Sequence, residues 1–180
     1  MKRRSFLKSA ASTIPVALTQ SFAFGAQPPG PLSKEAAVVP AGHDRLDEAH
    51  PGFGGLEFKV LTRETGGNLF VIEHANAVHG GPPLHLHLEQ EEWFYVIEGE
   101  FLFQVGDKQV RLAPGESVVG PRRVPHAFTP VGHTPGRMLI AFSPAGKMED
   151  FFRGATTPLQ DAAYYRKHGM ELLGPPLKLT

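Results

Sequence analysis

The sequence predicts an all-β, single-domain protein: a sandwich or barrel of short strands, followed by a short helical tail. Three observations carry this. A chain of 180 residues suits one domain. Its 20 Gly, 17 Pro and 13 Phe imply many turns around an aromatic core. From residue 54 onward, short apolar or alternating runs return between turn signals at roughly 8–12-residue spacing.

Leu56 to Arg63 alternates apolar and polar residues, which makes a half-buried strand. Gly66-Gly67-Asn68 turns the chain, and Leu69 to Glu73 makes the next strand. After the break at Gly80-Gly81-Pro82-Pro83, His85 and His87 belong to an extended segment. Trp93 to Ile97 is an aromatic and β-branched strand. Phe101 to Val105 and Gln109 to Leu112 flank the hairpin signal Gly106-Asp107-Lys108. Strands at Ser117 to Gly120, His126 to Thr129 and Arg137 to Phe142 follow. Helical spacing appears only late, at Lys147 to Arg153 and Leu159 to His168. The expected organisation is a leader at 1–26, an arm at 27–53 that docks on the body, a barrel at 54–145 and a helical tail at 146–180.

Charge excludes one class of function. The 18 basic and 18 acidic side chains balance only because Lys2, Arg3, Arg4 and Lys8 open the chain. Without them 14 basic residues face 18 acidic ones, a poor surface for nucleic acid. The absence of Cys removes disulfides, thiolate metal sites and thiol catalysis. The leader has a basic start, a mildly apolar middle and small residues around Ala23 to Ala26, the layout of an export signal. It is too short and polar for a stable membrane span. Arg3-Arg4-Ser5-Phe6-Leu7-Lys8 resembles the twin-arginine export signal, with Lys2 departing from the usual preceding Ser or Thr. That resemblance implies the twin-arginine export machinery as partner, export of a folded protein to the periplasm or cell envelope, and cleavage after Ala23 or Ala26.

His85-Leu86-His87 puts two imidazoles on one face of an extended strand, since residues two apart share a side. Glu92 opens the next strand in phase with Phe94 and Val96, and His126 follows later in Val124-Pro125-His126. Three neutral imidazoles and one carboxylate suit a first-row divalent metal and leave coordination positions open. Glu89 and Glu91 are rival carboxylates; Glu91 has the opposite strand phase and Glu89 falls in the loop, so Glu92 is preferred.

The whole spacing resembles the cupin family. Its first motif is matched by His85-x-His87, four residues, Glu92, six residues and Gly99, with Gly80 one residue closer than the pattern asks. Its second motif is matched by Gly115, five residues, Pro121, Arg122 and then His126, with Arg123 and Pro130 replacing the usual Gly and Asn. The segment around Ser143 to Phe152 is similar to small single-domain cupins related to quercetin dioxygenases. The resemblance implies a jelly-roll-like barrel with His85, His87, Glu92 and His126 as ligands of one divalent transition metal. Mn or Fe is favoured, with Ni, Cu, Zn and Co open, because folding before export shields the site from tighter-binding metals.

The implied activity is that of a metal-dependent oxidoreductase, dioxygenase-like, acting on a small enol or phenol chelated to the metal, with Glu92 as catalytic base. Isomerase, decarboxylase or lyase chemistry, or plain binding of a ligand or metal in the cell envelope, are the alternatives. Phe94 and Phe128 share strand phase with Glu92 and His126, and with Phe101 and Phe103 they are candidate walls of a substrate pocket. Arg122 and Arg123 beside His126 read as solvated turn charges or as steering groups for a substrate carboxylate or phenolate. His43, His50, His74, His133 and His168 read as surface or capping residues, and His79 as a neighbour that supports the ligands. The oligomeric state is left open, a homodimer included.

Overall fold

The computed structural model describes residues 36, 38–50, 53, 55–77, 80–132, 134–155 and 161–179. The expected export signal at 1–26, residues 27–35 of the arm, His79 and His133 lie outside the described residues. The strands are β1 (Leu56–Val60), β2 (Phe70–Ala77), β3 (Pro83–His87), β4 (Glu91–Glu98), β5 (Glu100–Val105), β6 (Lys108–Leu112), β7 (Ser117–Gly120), β8 (His126–Val131), β9 (Gly136–Ser143) and β10 (Met170–Pro176). They form two five-stranded sheets, ordered β1-β2-β9-β4-β7 and β10-β3-β8-β5-β6. All pairings are antiparallel. Two short helices, α1 (Met148–Gly154) and α2 (Ala162–Lys167), separate β9 from β10. Among the described residues no helix is long and apolar enough to cross a membrane.

Strand alternation sets the inside of the barrel. On β4, Glu92, Phe94 and Val96 are buried while Trp93 faces out. On β9, Met138, Ile140 and Phe142 point in. Phe58, Phe70, Phe94, Phe101, Phe103 and Phe142 are each no more than 1% exposed, and burying a ring of this size stabilises the fold by roughly 1.5–3 kcal/mol. Gly136 makes one close approach workable: a Cβ there would lie 2.4 Å from the Phe101 ring.

Two local differences from the sequence reading, and one agreement in the docked arm, have physical causes. The first strand stops at Val60, and Thr62–Thr65 form a 3-10 turn. Glu64 closes that turn by accepting from the Leu61 N–H at 2.9 Å and from the Arg45 guanidinium. Residues 38–50 run beside β1, where the buried Asp44 carboxylate accepts from the N–H groups of Leu46, Glu48 and Phe58 and contacts His50. Finally, the tail does not stay helical. It returns as β10, with Met170 opposite His87 and Leu172 opposite His85. Gly174, Pro175 and Pro176 disguise this strand in the sequence, but an edge strand tolerates proline because one side needs no ladder bonds.

Candidate metal centre

Interior strands of both sheets bring the site together. His85 and His87 project inward from β3, at alternate positions of its buried face. His126 begins β8 directly opposite His85 in the ladder. Glu92 faces them from β4 in the other sheet, held between Gly120 and Phe142. The four donor groups lie within 4.8 Å of one another, and all four residues are buried. Glu92 Oε2 is 3.0 Å from His87 Nε2, 2.8 Å from His126 Nε2 and 4.0 Å from His85 Nε2.

Room for this packing comes partly from glycine. A Cβ on Gly120 would stand 2.9 Å from His126 Nδ1, so a bare backbone is what lets the imidazole lie there. The rings of His87 and His126 are nearly parallel, 7° apart in plane and 5.4 Å between centroids.

Electrostatics sorts the groups. Burial, helped by the neighbouring His126, pushes the His85 imidazole down to about 3. Burial alone would raise the Glu92 carboxyl, but the hydrogen bonds from His126 and His87 outweigh it and hold Glu92 well below the usual carboxylate range. Burial likewise opposes charge on His126, yet the bond to Glu92 wins and lifts it. The centre is thus a buried negative pole that attracts one positive charge, a proton or a metal cation.

The donor set fits a metal. The Nδ1–H of His85 donates to the Pro83 carbonyl at 2.8 Å, and that of His126 to the Val124 carbonyl at 2.9 Å. Each bond fixes the proton on Nδ1 and aims Nε2 at the common centre, as metal-binding imidazoles require. His87 Nδ1 is buried without a partner among the described residues. His85, His87, Glu92 and His126 would hold the ion.

The rival carboxylates are elsewhere. Glu91 points outward and is held by Arg122, with Nε to Oε1 and Nη2 to Oε2 both at 2.5 Å. Glu89 is exposed in the loop. Arg122 is therefore occupied on the outer surface, and Arg123 Nε donates to the Leu88 carbonyl at 3.3 Å, so neither lines the cavity.

Beside the cluster lies a cavity of about 420 Å³ whose wall includes His85, His87 and Glu92. Of the four phenylalanines expected there, only Phe128 lines it. Phe94, Phe101 and Phe103 correct the expectation: their rings pack on one another and on Phe128 in the closed part of the core. Strand phase told which way they point, not how deep along the barrel they sit. The aromatic wall instead comes from Phe142, Phe151 and Phe152, and from Tyr165 on α2. His74, read as a surface residue, also lines the cavity with Asn76. The signal was present, since His74 continues the inward phase of Phe70 and Ile72. No such signal existed for Tyr165, whose position depends on how α2 folds back.

Residues 75–142 match the cupin domain. That match and the two-sheet barrel support the cupin superfamily, and every proposed metal ligand falls within the matched cupin segment. An uncharacterized protein of Methanocaldococcus jannaschii is 28% identical over 67 residues, 37% of this chain. The match takes in 54% of that relative, about half its length. An RmlC-like cupin from Shewanella frigidimarina is 28% identical, with a TM-score of 0.46 over 54% of this chain and 82% of its own. A predicted oxalate decarboxylase from Thermotoga maritima is 17% identical, with a TM-score of 0.47 over 49% of this chain and 77% of its own. The cupin match ends before α1, α2 and β10, which supply part of the cavity wall.

Proposed function

We propose that this chain is a metal-dependent cupin oxidoreductase of the dioxygenase type, acting on a small enol or phenol whose adjacent oxygens chelate the metal. One observation carries the reading. The cavity has His and Glu donors on one wall, aromatic rings over much of the rest, and no Lys or Arg among the described residues that line it. Such a pocket favours a flat, largely apolar molecule with one oxygen-rich edge. It disfavours phosphorylated or polycarboxylate substrates, whose extra charge would find no cation there.

Held by His85, His87, Glu92 and His126, a redox metal would supply electrons to O2, and any divalent ion would stabilise a developing enolate or phenolate. The chain's own residues supply the rest. Both histidine contacts of Glu92 fall on Oε2, so Oε1 is the atom offered to the ligand as base. Phe128, Phe142 and Phe152 fix the plane of the ligand and keep water from its reacting edge.

The test is oxygen uptake by Fe- or Mn-loaded protein across a panel of flavonols, catechols and enolised diketones. Uptake that scales with loss of one substrate supports the reading. Turnover without oxygen would place the same groups in isomerase or decarboxylase chemistry. Metal binding with no turnover of any of these, nor of keto acids or sugar acids, would leave a binding protein.

A further inference from the structure

We propose that Tyr165 is a ligand-binding residue of the cavity, donating a hydrogen bond from its hydroxyl to an oxygen of the molecule bound at the His85–His87–Glu92–His126 wall. This rests on the chelate reading above and deepens it.

Tyr165 comes from α2, beyond the segment that matches the cupin domain. Its side chain is 2% exposed and forms part of the cavity wall. The ring stands edge-on to His85 at 5.7 Å and 72°, and edge-on to Phe151 at 5.3 Å and 72°. Those two contacts fix the ring beside the cluster. Among the described residues its hydroxyl has no hydrogen-bond partner. The adjacent Tyr164 is different: its hydroxyl donates to the Phe151 carbonyl at 2.7 Å and serves the fold. The hydroxyl is not sealed off without a partner: it is open to the cavity, so it exchanges water for an oxygen of whatever occupies the space in front of it. With no Lys or Arg among the described residues of the wall, the ligand's oxygens have few donors, and Tyr165 is the one packed against a proposed metal ligand. Its reach selects ligands whose chelating edge carries an oxygen on the α2 side.

Nitrocatechol, whose absorption reports both chelation and hydrogen bonding to its oxygens, is the probe. It is titrated into cobalt-loaded wild type, Tyr165→Phe and Tyr164→Phe, with bound cobalt measured in each. Tyr165→Phe keeps the ring that packs on His85 and Phe151. We expect unchanged cobalt content, roughly tenfold weaker nitrocatechol binding, in line with loss of one hydrogen bond to a charged oxygen, and a shifted absorption maximum of the bound probe. Tyr164→Phe should stay within about twofold of wild type in affinity. Equal affinity and spectrum for Tyr165→Phe and wild type would overturn the assignment while leaving the chelate reading intact. Equal losses in both variants would show that packing of α2 matters and the hydroxyl does not, and would also overturn it. No binding of nitrocatechol to cobalt-loaded wild type would overturn the chelate reading and this assignment with it.

Discussion

Arg122 grips the Glu91 carboxylate on the outside of the barrel, with both nitrogen–oxygen pairs at 2.5 Å. One residue further on, the strand has turned its side chains by half a period, and Glu92 is buried between His87 and His126. Two adjacent acids therefore have opposite fates, one neutralised on the surface and the other kept ionised in a pocket of imidazoles.

Glu92→Gln should abolish tight metal binding, because it removes the one negative charge of the donor set. Glu91→Gln should leave metal content unchanged. Metal retained after dialysis, measured by elemental analysis alongside circular dichroism, distinguishes them. Equal metal in the two variants would sink the assignment of Glu92. His87→Ala and His126→Ala should likewise lose most bound metal while staying folded.

Gly120→Ala should act on the metal without touching a ligand. The added methyl would press on His126 Nδ1 from 2.9 Å, and His126 would lose its bond to Val124 or its aim at the centre. Metal affinity should fall roughly tenfold or more, the usual effect of disturbing the groups that orient a ligand. A competition assay with a chromophoric chelator reads this, and wild-type affinity would refute the packing argument.

Acid should loosen the arm through Asp44. Burial would raise that carboxyl, but the N–H groups of Leu46, Phe58 and Glu48 and the His50 ring together hold it below its ordinary value of 3.8. A lowered folded pKa contributes stability that is full above the unfolded value and fades as pH falls through the folded one. Asp44→Asn should cost roughly 2 kcal/mol near neutral pH, by loss of charged hydrogen bonds. The gap between variant and wild type in urea unfolding should close as pH falls below about 4. A gap constant with pH would mean that ionised Asp44 is not the clamp.

Phe103 and Phe152 should separate stability from ligand binding. Phe103 packs on Phe94, Phe101 and Phe128 inside the core, whereas Phe152 lines the cavity. Phe103→Leu should lower unfolding free energy by about 1–2 kcal/mol, part of what full truncation costs, with nitrocatechol affinity unchanged. Phe152→Leu should change probe affinity severalfold. The reverse pattern would put the ligand in a different part of the barrel.

The export reading of the leader predicts that changing Arg3 and Arg4 together to Lys strands the precursor inside the cell, although charge is kept. Fractionation with an antibody to the chain reads the outcome. Exported protein should carry Mn or Fe, while protein refolded outside with equal metals takes Cu or Zn, which bind such donors more tightly. The same metal in both preparations would remove folding location as the cause.

The period-2 phase of short strands settled much by itself. It determined the all-β class, the inward face of β4, and the pairing of His85 with His87, because a strand's side chains alternate whatever it packs against. The choice of Glu92 over Glu91 also followed from phase. Depth and distant contacts did not. Phe94, Phe101 and Phe103 share the inward phase of the site, yet lie where the barrel is closed, and only the packing of rings on rings decided that. The strand β10 and the Tyr165 ring beside His85 were decided by tertiary structure alone. A segment holding Gly174, Pro175 and Pro176 has no strand signal of its own, and it becomes a strand only because the edge of β3 offers unpaired N–H and C=O groups to complete it.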